Sequence, residues 1–224
     1  NYNIAYAYFK KKEYDQAGDY FQKQIDKVSA DKVRLNDSYL RLGDSRFVTS
    51  KYWPAMDAYN KAIDMKSIDA DYAAFQKALS YGFVSKNDKK IEDFNKFLQT
   101  FKTSQYRDDA LYELGNTYVN EGKVDLAIKT YDQLLAEFKN GIFSAKSMLK
   151  QGLVYYNNQK EDLALTKFKK VAADFPRSPE AVEAVATARL IYMDKGKVDE
   201  YASWVRTLDF VEVTDADLDN DTYE

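Results

Sequence analysis

The stretch from Ala110 to Phe138 constrains the fold more than any other part of the sequence. Its apolar residues recur at steps of three to four on either side of a break at Glu121–Gly122. Those that define the pattern are Leu114, Tyr118, Ala127, Tyr131, Leu134 and Phe138. Apolar residues at this spacing lie on one face of a helix. The stretch therefore predicts two amphipathic helices that are joined by a tight turn and pack face to face.

The same unit recurs along the chain. The residues that open the second helix of each unit are Ala17, Ala55, Lys90, Ala127, Ala164 and Tyr201. Successive positions are therefore 38, 35, 37, 37 and 37 residues apart. Self-similarity at a period of about 20–50 residues is the signature of a repeat architecture. The sequence thus predicts stacked helix pairs, each of which completes its core against its neighbours.

This pattern resembles the tetratricopeptide repeat (TPR), in which large, small and aromatic positions follow one another over two helices. The resemblance implies an all-α, right-handed superhelical solenoid of about six helix pairs, whose first helices line an inner, concave wall. We expect a repeat domain over residues 1–211, followed by an acidic tail or linker over residues 212–224. The repeats are expected at residues 1–30, 36–67, 70–104, 107–141, 144–178 and 179–211.

Small residues at fixed positions would let the two helices of a pair approach closely. They are Gly43, Ala78, Gly115 and Gly152 on the first helices, and Ala17, Ala55, Ala127 and Ala164 on the second. Large rings are then expected to fill the space toward the next repeat, at Tyr59, Phe94, Tyr131 and Phe168. Between the last two repeats, Ser178 is placed to cap the following helix, with Pro179 in its first position.

The chain lacks the residue types on which most catalytic and metal sites depend. It has no His and no Cys, which excludes disulfides, thiolate metal sites, the commonest general base and the commonest metal ligand. No glycine-rich phosphate loop and no serine nucleophile turn occur, although chemistry based on carboxylates alone stays formally open. The 33 basic and 36 acidic residues are interspersed, without a basic block for nucleic acid. We therefore expect no enzyme activity, cofactor or metal, no nucleic-acid partner and no membrane span.

If the first helices line a concave wall, the residues at offsets of −3, +1 and +4 from the small position should face inward. The predicted partner-binding residues are Tyr6, Phe9, Leu40, Asp44, Phe47, Phe75, Leu79, Tyr112, Asn116, Val119, Leu149, Leu153 and Tyr156. A contiguous apolar and aromatic surface of this kind often marks a binding site. It suits an extended or helical apolar segment of a protein or peptide partner. The competing interpretation is that many of these side chains pack between neighbouring first helices.

Two functions from different classes remain open at this point. The first is a protein-interaction scaffold, and the second is a small-ligand or glycan binder that uses Tyr and Phe rings as stacking platforms. The long-loop style of the repeats resembles TPR proteins of the bacterial periplasm and outer membrane, which implies a cell-envelope location. Because the chain begins at Asn1 in mid-pattern, we expect a signal segment, and further repeats or domains, outside it.

The last residues alternate Asp with other types, at Asp215, Asp217, Asp219 and Asp221. This alternation is similar to the start of a calcium loop, but Asn220 stands where such a loop needs Gly. We therefore expect a flexible acidic segment there.

Overall fold

The computed structural model describes residues 1–27 and 30–211, and within these residues it contains twelve helices and no strand. The helices are α1 (Tyr2–Lys10), α2 (Tyr14–Ile25), α3 (Lys32–Val48), α4 (Tyr52–Asp64), α5 (Ala70–Phe83), α6 (Asn87–Thr100), α7 (Arg107–Asn120), α8 (Val124–Glu137), α9 (Ser144–Asn157), α10 (Glu161–Asp174), α11 (Pro179–Asp194) and α12 (Val198–Val205). They form six successive pairs, which confirms the prediction of an all-α fold built from helix pairs. The acidic segment at residues 212–224 lies outside the described residues.

The chain divides into two compact units, which are Asn1–Thr117 and Tyr118–Glu224, so that the boundary falls inside α7. We call them unit 1 and unit 2. In each unit a helix packs chiefly on the helices adjacent to it in the sequence, and α9 additionally contacts α11. The prediction of one repeat domain over residues 1–211 stays a prediction.

One type of turn closes all six helix pairs. Each turn is three residues long, and its middle residue has a left-handed backbone with φ between 57° and 67°. These middle residues are Lys12, Ser50, Ser85, Gly122, Gln159 and Gly196. The next residue donates its N–H to the carbonyl five positions earlier, as Lys123 does to Tyr118 at 2.8 Å. This bond caps the C-terminus of the first helix, and glycine, which reaches this conformation without strain, supplies it at only two turns.

Side chains cap the starts of α11 and α3. The Ser178 hydroxyl accepts a hydrogen bond from the Ala181 N–H at 3.0 Å, and Pro179 is the first residue of α11, as predicted. At α3, the Asp31 carboxylate accepts from the Arg34 N–H at 3.0 Å. Because of this cap, α3 begins at Lys32, ahead of the repeat start that was predicted at residue 36.

The core of unit 1 follows the predicted small and large positions. Ala17, Ala55 and Ala78 have no exposed surface, and neither does the ring of Tyr59. Gly43 lies so close to Tyr59 that a Cβ at position 43 would stand 2.5 Å from Tyr59 Cε1. The predicted close approach of the paired helices is therefore confirmed here.

Unit 2 repeats this arrangement around Phe168, which is fully buried in one cluster with Leu149, Ala164 and Val171. A Cβ at Gly152 would stand 2.7 Å from Phe168 Cδ1 and closer still to Cε1. After α12, Phe210 returns to pack against this cluster and against a second cluster at α11 and α12.

Two repeats replace the small residue of the second helix, and each does so differently. In α6 the Lys90 stem passes beside Gly82, and its ammonium contacts Glu113 Oε2 at 2.8 Å, so a charged side chain is accommodated by pairing. In α12 Tyr201 occupies the position and packs against Tyr192, with the ring centroids 6.0 Å apart. The final pair is thus joined by aromatic packing instead of by close backbone approach.

The contact at Gly152 gives a first prediction. Because Phe168 is fully buried and has no free space, Gly152→Ala is expected to lower the free energy of unfolding by about 1–3 kcal/mol through overpacking. Chemical denaturation with an unchanged m-value would measure it. Gly18→Ala in α2 is the matched control, since its Cβ would meet only the flexible end of Arg46, at 3.2 Å. Equal effects of the two substitutions would contradict the proposed clash.

Candidate partner-binding surface

Four of the thirteen predicted binding residues are buried in the described structure. Leu40 is 1% exposed, Asp44 8%, Phe75 8% and Leu149 6%. Their offset from the small position is the expected one, but the neighbouring helices cover them. As a correction to the predicted surface, these four side chains are packing residues rather than groups within reach of a partner.

The carboxylate of Asp37 on α3 is part of a hydrogen-bond network in unit 1. Asp37 Oδ2 accepts hydrogen bonds from the hydroxyls of Tyr2 at 2.7 Å and Tyr6 at 2.5 Å, both on α1. Burial raises the pKa of both tyrosines, and the hydrogen bond to Asp37 raises it further. The two hydroxyls therefore stay protonated and act as fixed donors that orient Asp37.

Arg41 links this carboxylate to a second one. Its Nε lies 3.4 Å from Asp37 Oδ1, and its Nη1 lies 2.6 Å from Asp44 Oδ2. Asp44 Oδ1 also accepts from the hydroxyls of Tyr59 at 2.9 Å and Tyr72 at 2.8 Å. Burial raises the pKa of the Asp44 carboxyl, whereas the bonds from Tyr72, Arg41 and Tyr59 oppose that rise. The network holds one guanidinium between two carboxylates, so each charge has a partner and its position is fixed.

Aromatic rings flank the network along the first helices. The Arg41 guanidinium lies 5.9 Å from the ring centroid of Phe9. At the C-terminal end of α3, Phe47 makes an edge contact with Phe83 of α5 at 5.4 Å. Phe83 is itself stacked on Tyr52 at 4.8 Å and is still 58% exposed. We call Tyr6, Phe9, Arg41, Phe47 and Phe83 the first-helix surface of unit 1.

The other predicted residues are half-buried on their own helices. In unit 1 these are Leu79, Tyr112 and Asn116, and in unit 2 they are Val119, Leu153 and Tyr156. Leu153 and Tyr156 pack against the cluster around Phe168, so they share one environment. The competing interpretation is that these side chains pack between helices. Because each of them is half-buried, such packing accounts for part of its surface and leaves the rest exposed.

Sequence reasoning missed most of the polar network. Asp37 and Arg41 are not among the predicted binding residues, although Asp37, Arg41 and Asp44 follow one another at spacings of four and three. That spacing places them on one face of a helix and could have indicated the α3 part. The contributions of Tyr2, Tyr59 and Tyr72 come from three other helices, and no local pattern predicts them.

The described part of the chain contains no group of three or more acidic residues arranged to hold a metal ion. None of its helices combines the length and apolarity that crossing a membrane requires.

Two regions of the chain match family models of the tetratricopeptide repeat, namely residues 1–26 and residues 112–179. No match was found among curated proteins.

Solved structures share the fold. MamA is 22% identical with a TM-score of 0.58, over 74% of this chain and 91% of that one. YrrB, described as a TPR protein with an unusual peptide-binding site, is 16% identical with a TM-score of 0.60, over 81% and 88%. A tetratricopeptide repeat protein from Parabacteroides merdae is 17% identical with a TM-score of 0.66, over 96% and 80%.

Proposed function

Because this chain is a tetratricopeptide-repeat protein, we propose that it is a non-catalytic interaction scaffold that captures a peptide or protein segment on its first helices. The observation that carries the proposal is the first-helix surface of unit 1, where accessible rings stand beside charges that are already paired. YrrB, which is described as a TPR protein with an unusual peptide-binding site, is a precedent at the level of the fold.

The geometry favours binding with little rearrangement. Arg41 is fixed between Asp37 and Asp44, and Phe83 is fixed by its stacking on Tyr52. Side chains that are already ordered lose little conformational freedom when a partner binds, which lowers the cost of association. Rigid aromatic side chains of this kind are frequent binding hot spots.

The expected partner is an extended or helical segment with apolar or aromatic side chains. Phe9, Phe47 and Phe83 supply apolar contact, while Asp37, Arg41 and Asp44 together carry one net negative charge. Partners rich in acidic residues should therefore bind less well than neutral ones.

Affinity capture from the cell-envelope fraction of the source organism, followed by fluorescence titration with segments of the captured protein, would test the proposal. Phe83→Ser is expected to weaken binding by about tenfold or more, because it removes the most exposed ring of the surface. Its melting temperature should stay close to that of the wild type, since Phe83 is 58% exposed.

Leu163→Ser is the matched control, because it removes a comparably exposed apolar side chain, at 48%, from the second helix α10. An equal loss of affinity in the two variants would contradict binding on the first helices. Clear glycan-array binding without any captured protein would favour the alternative, a glycan-binding protein. The short turns count against that alternative, since they provide no long loop above the helices.

We also propose a location in the periplasm or at the outer membrane of a bacterium. The support is the resemblance of the repeats to TPR proteins of the bacterial periplasm and outer membrane. Immunodetection of the native protein in fractionated cells would test it, and recovery in the cytosolic fraction alone would overturn it.

A further inference from the structure

A cleft of about 670 Å³ opens at one edge of unit 1, away from the turns that close the helix pairs. It lies between the beginning of α3 and the segment that joins α4 to α5. Its lining includes Val33, Arg34, Asn36, Ser67, Ile68 and Asp69. None of these six residues belongs to the first-helix surface.

Two aliphatic side chains flank this cleft without packing in the core. Val33 is 82% exposed and Ile68 is 92% exposed, and they are the most exposed large apolar side chains among the described residues. A single exposed aliphatic residue is ordinary. Two exposed aliphatic side chains beside one cleft provide apolar surface that a bound segment would cover. Removing this surface from water would favour binding.

Two polar atoms at the same place have no hydrogen-bond partner. They are Oδ1 of Asn36, a residue that is only 5% exposed, and Oγ of Ser67. Buried polar atoms in native proteins are almost always paired, so an unpaired one calls for an explanation. Asn36 lines the cleft, but its Oδ1 is covered in the free protein, so a partner's N–H donor would satisfy it once the side chain turns toward the cleft.

The charge of the cleft limits the chemistry of that partner. Asp31, Asp37 and Asp69 line it against a single cation, Arg34, which leaves two net negative charges. Asp31 is engaged by Arg34 and Asp37 by the hydroxyls of α1. Asp69 precedes α5 without making a side-chain cap bond. A cationic group therefore fits beside Asp69 better than an anionic one.

We propose that this cleft is a second binding site, for an extended polypeptide segment in which a large aliphatic residue stands next to Lys or Arg. The aliphatic side chain lies between Val33 and Ile68, a backbone N–H donates to Asn36 Oδ1, and the cation faces Asp69. The site goes beyond the proposed function, since Val33, Ile68 and Asp69 lie outside the first-helix surface, although Asp37 borders both.

Three acetylated and amidated peptides would test the site on the full chain. The first alternates Leu with Lys, the second alternates Leu with Glu, and the third alternates Ser with Lys. Methyl-resolved NMR of Val33 and Ile68 would report occupancy directly. We expect only the Leu–Lys peptide to shift both methyl signals in a saturable way.

Variants separate a binding role from a structural one. Ile68→Ser should weaken binding of the Leu–Lys peptide about tenfold or more. Ile142→Ser removes an aliphatic side chain of 76% exposure from unit 2 and should leave the affinity for this peptide unchanged. Asn36→Ala should weaken binding, because it removes the oxygen that has no partner in the free protein. Phe83→Ser should leave the saturable shifts of the Val33 and Ile68 methyl signals unchanged, which distinguishes this site from the first-helix surface.

Three results would overturn the proposal: no shift of either methyl signal, equal binding of the Leu–Glu peptide, or equal losses in Ile68→Ser and Ile142→Ser.

Discussion

Replacement of Asp44 by alanine is expected to lower the free energy of unfolding by about 3–5 kcal/mol. The Asp44 carboxylate is 8% exposed and accepts hydrogen bonds from Tyr59, Tyr72 and Arg41. Without it, the fully buried Tyr59 hydroxyl loses its acceptor, and the half-buried Arg41 guanidinium keeps only Asp37. Leaving buried donors unpaired costs more than the hydrogen bonds themselves contribute. Urea denaturation followed by circular dichroism would measure the change.

Two further variants sharpen this prediction. Asp44→Asn keeps a carbonyl oxygen for the tyrosines but removes the charge opposite Arg41. Its free energy of unfolding should therefore lie between that of the wild type and that of Asp44→Ala. Asp209→Ala breaks an ion pair with Arg177 of the same 2.6 Å length, but both side chains are over two-thirds exposed. It should cost less than about 1 kcal/mol. If the Asp44 and Asp209 variants were equally stable, the network would not hold α3 to its neighbours.

Phe168→Ala is expected to destabilise the protein by about 3–5 kcal/mol, because it empties a fully buried ring position. Phe168 packs in one cluster with Leu149, Ala164, Val171 and residues of α11, so the cavity is enclosed on several sides. Gly152 lies directly against the ring and carries no side chain that could fill the space. Calorimetry or denaturant unfolding would give the value.

Phe83→Ala provides the comparison for Phe168, since it removes the same ring from a position that is 58% exposed. Its cost should be about 1 kcal/mol or less. The double variant Gly152→Ala, Phe168→Ala should be less destabilised than the sum of the two single changes, because the new methyl group occupies part of the cavity. Strict additivity would show that the two residues do not pack against each other.

The fold could be predicted from the sequence because its requirements are local and repeated. Each pair needs one small residue where the helix backbones approach and one ring that fills the space beyond it. Gly43 with Tyr59, and Gly152 with Phe168, meet both needs at nearly constant spacing. The turns were less predictable, since Ser85 and Gln159 adopt a left-handed backbone that sequence normally signals through glycine.

Only part of the candidate surface could be predicted from the sequence. The helical period placed Phe9, Phe47 and their neighbours on the first helices, where the structure also has them. It could not tell which members of the group are covered, because the burial of Leu40 and Asp44 depends on side chains from other helices. The polar network likewise depends on tyrosines that are distant in the sequence, such as Tyr59 and Tyr72, whose hydroxyls meet Asp44 only in the folded chain.

The packing of each helix on its sequence neighbours has a consequence for how quickly the protein can fold. Within a unit, the contacts join residues that are at most about two repeat lengths apart, and each repeat length is 35–38 residues. Closing such short loops costs little chain entropy. Among small two-state proteins, those dominated by local contacts fold fastest, in microseconds to milliseconds. Each helix pair can therefore serve as a starting point from which order spreads to the next, so no single region has to form first.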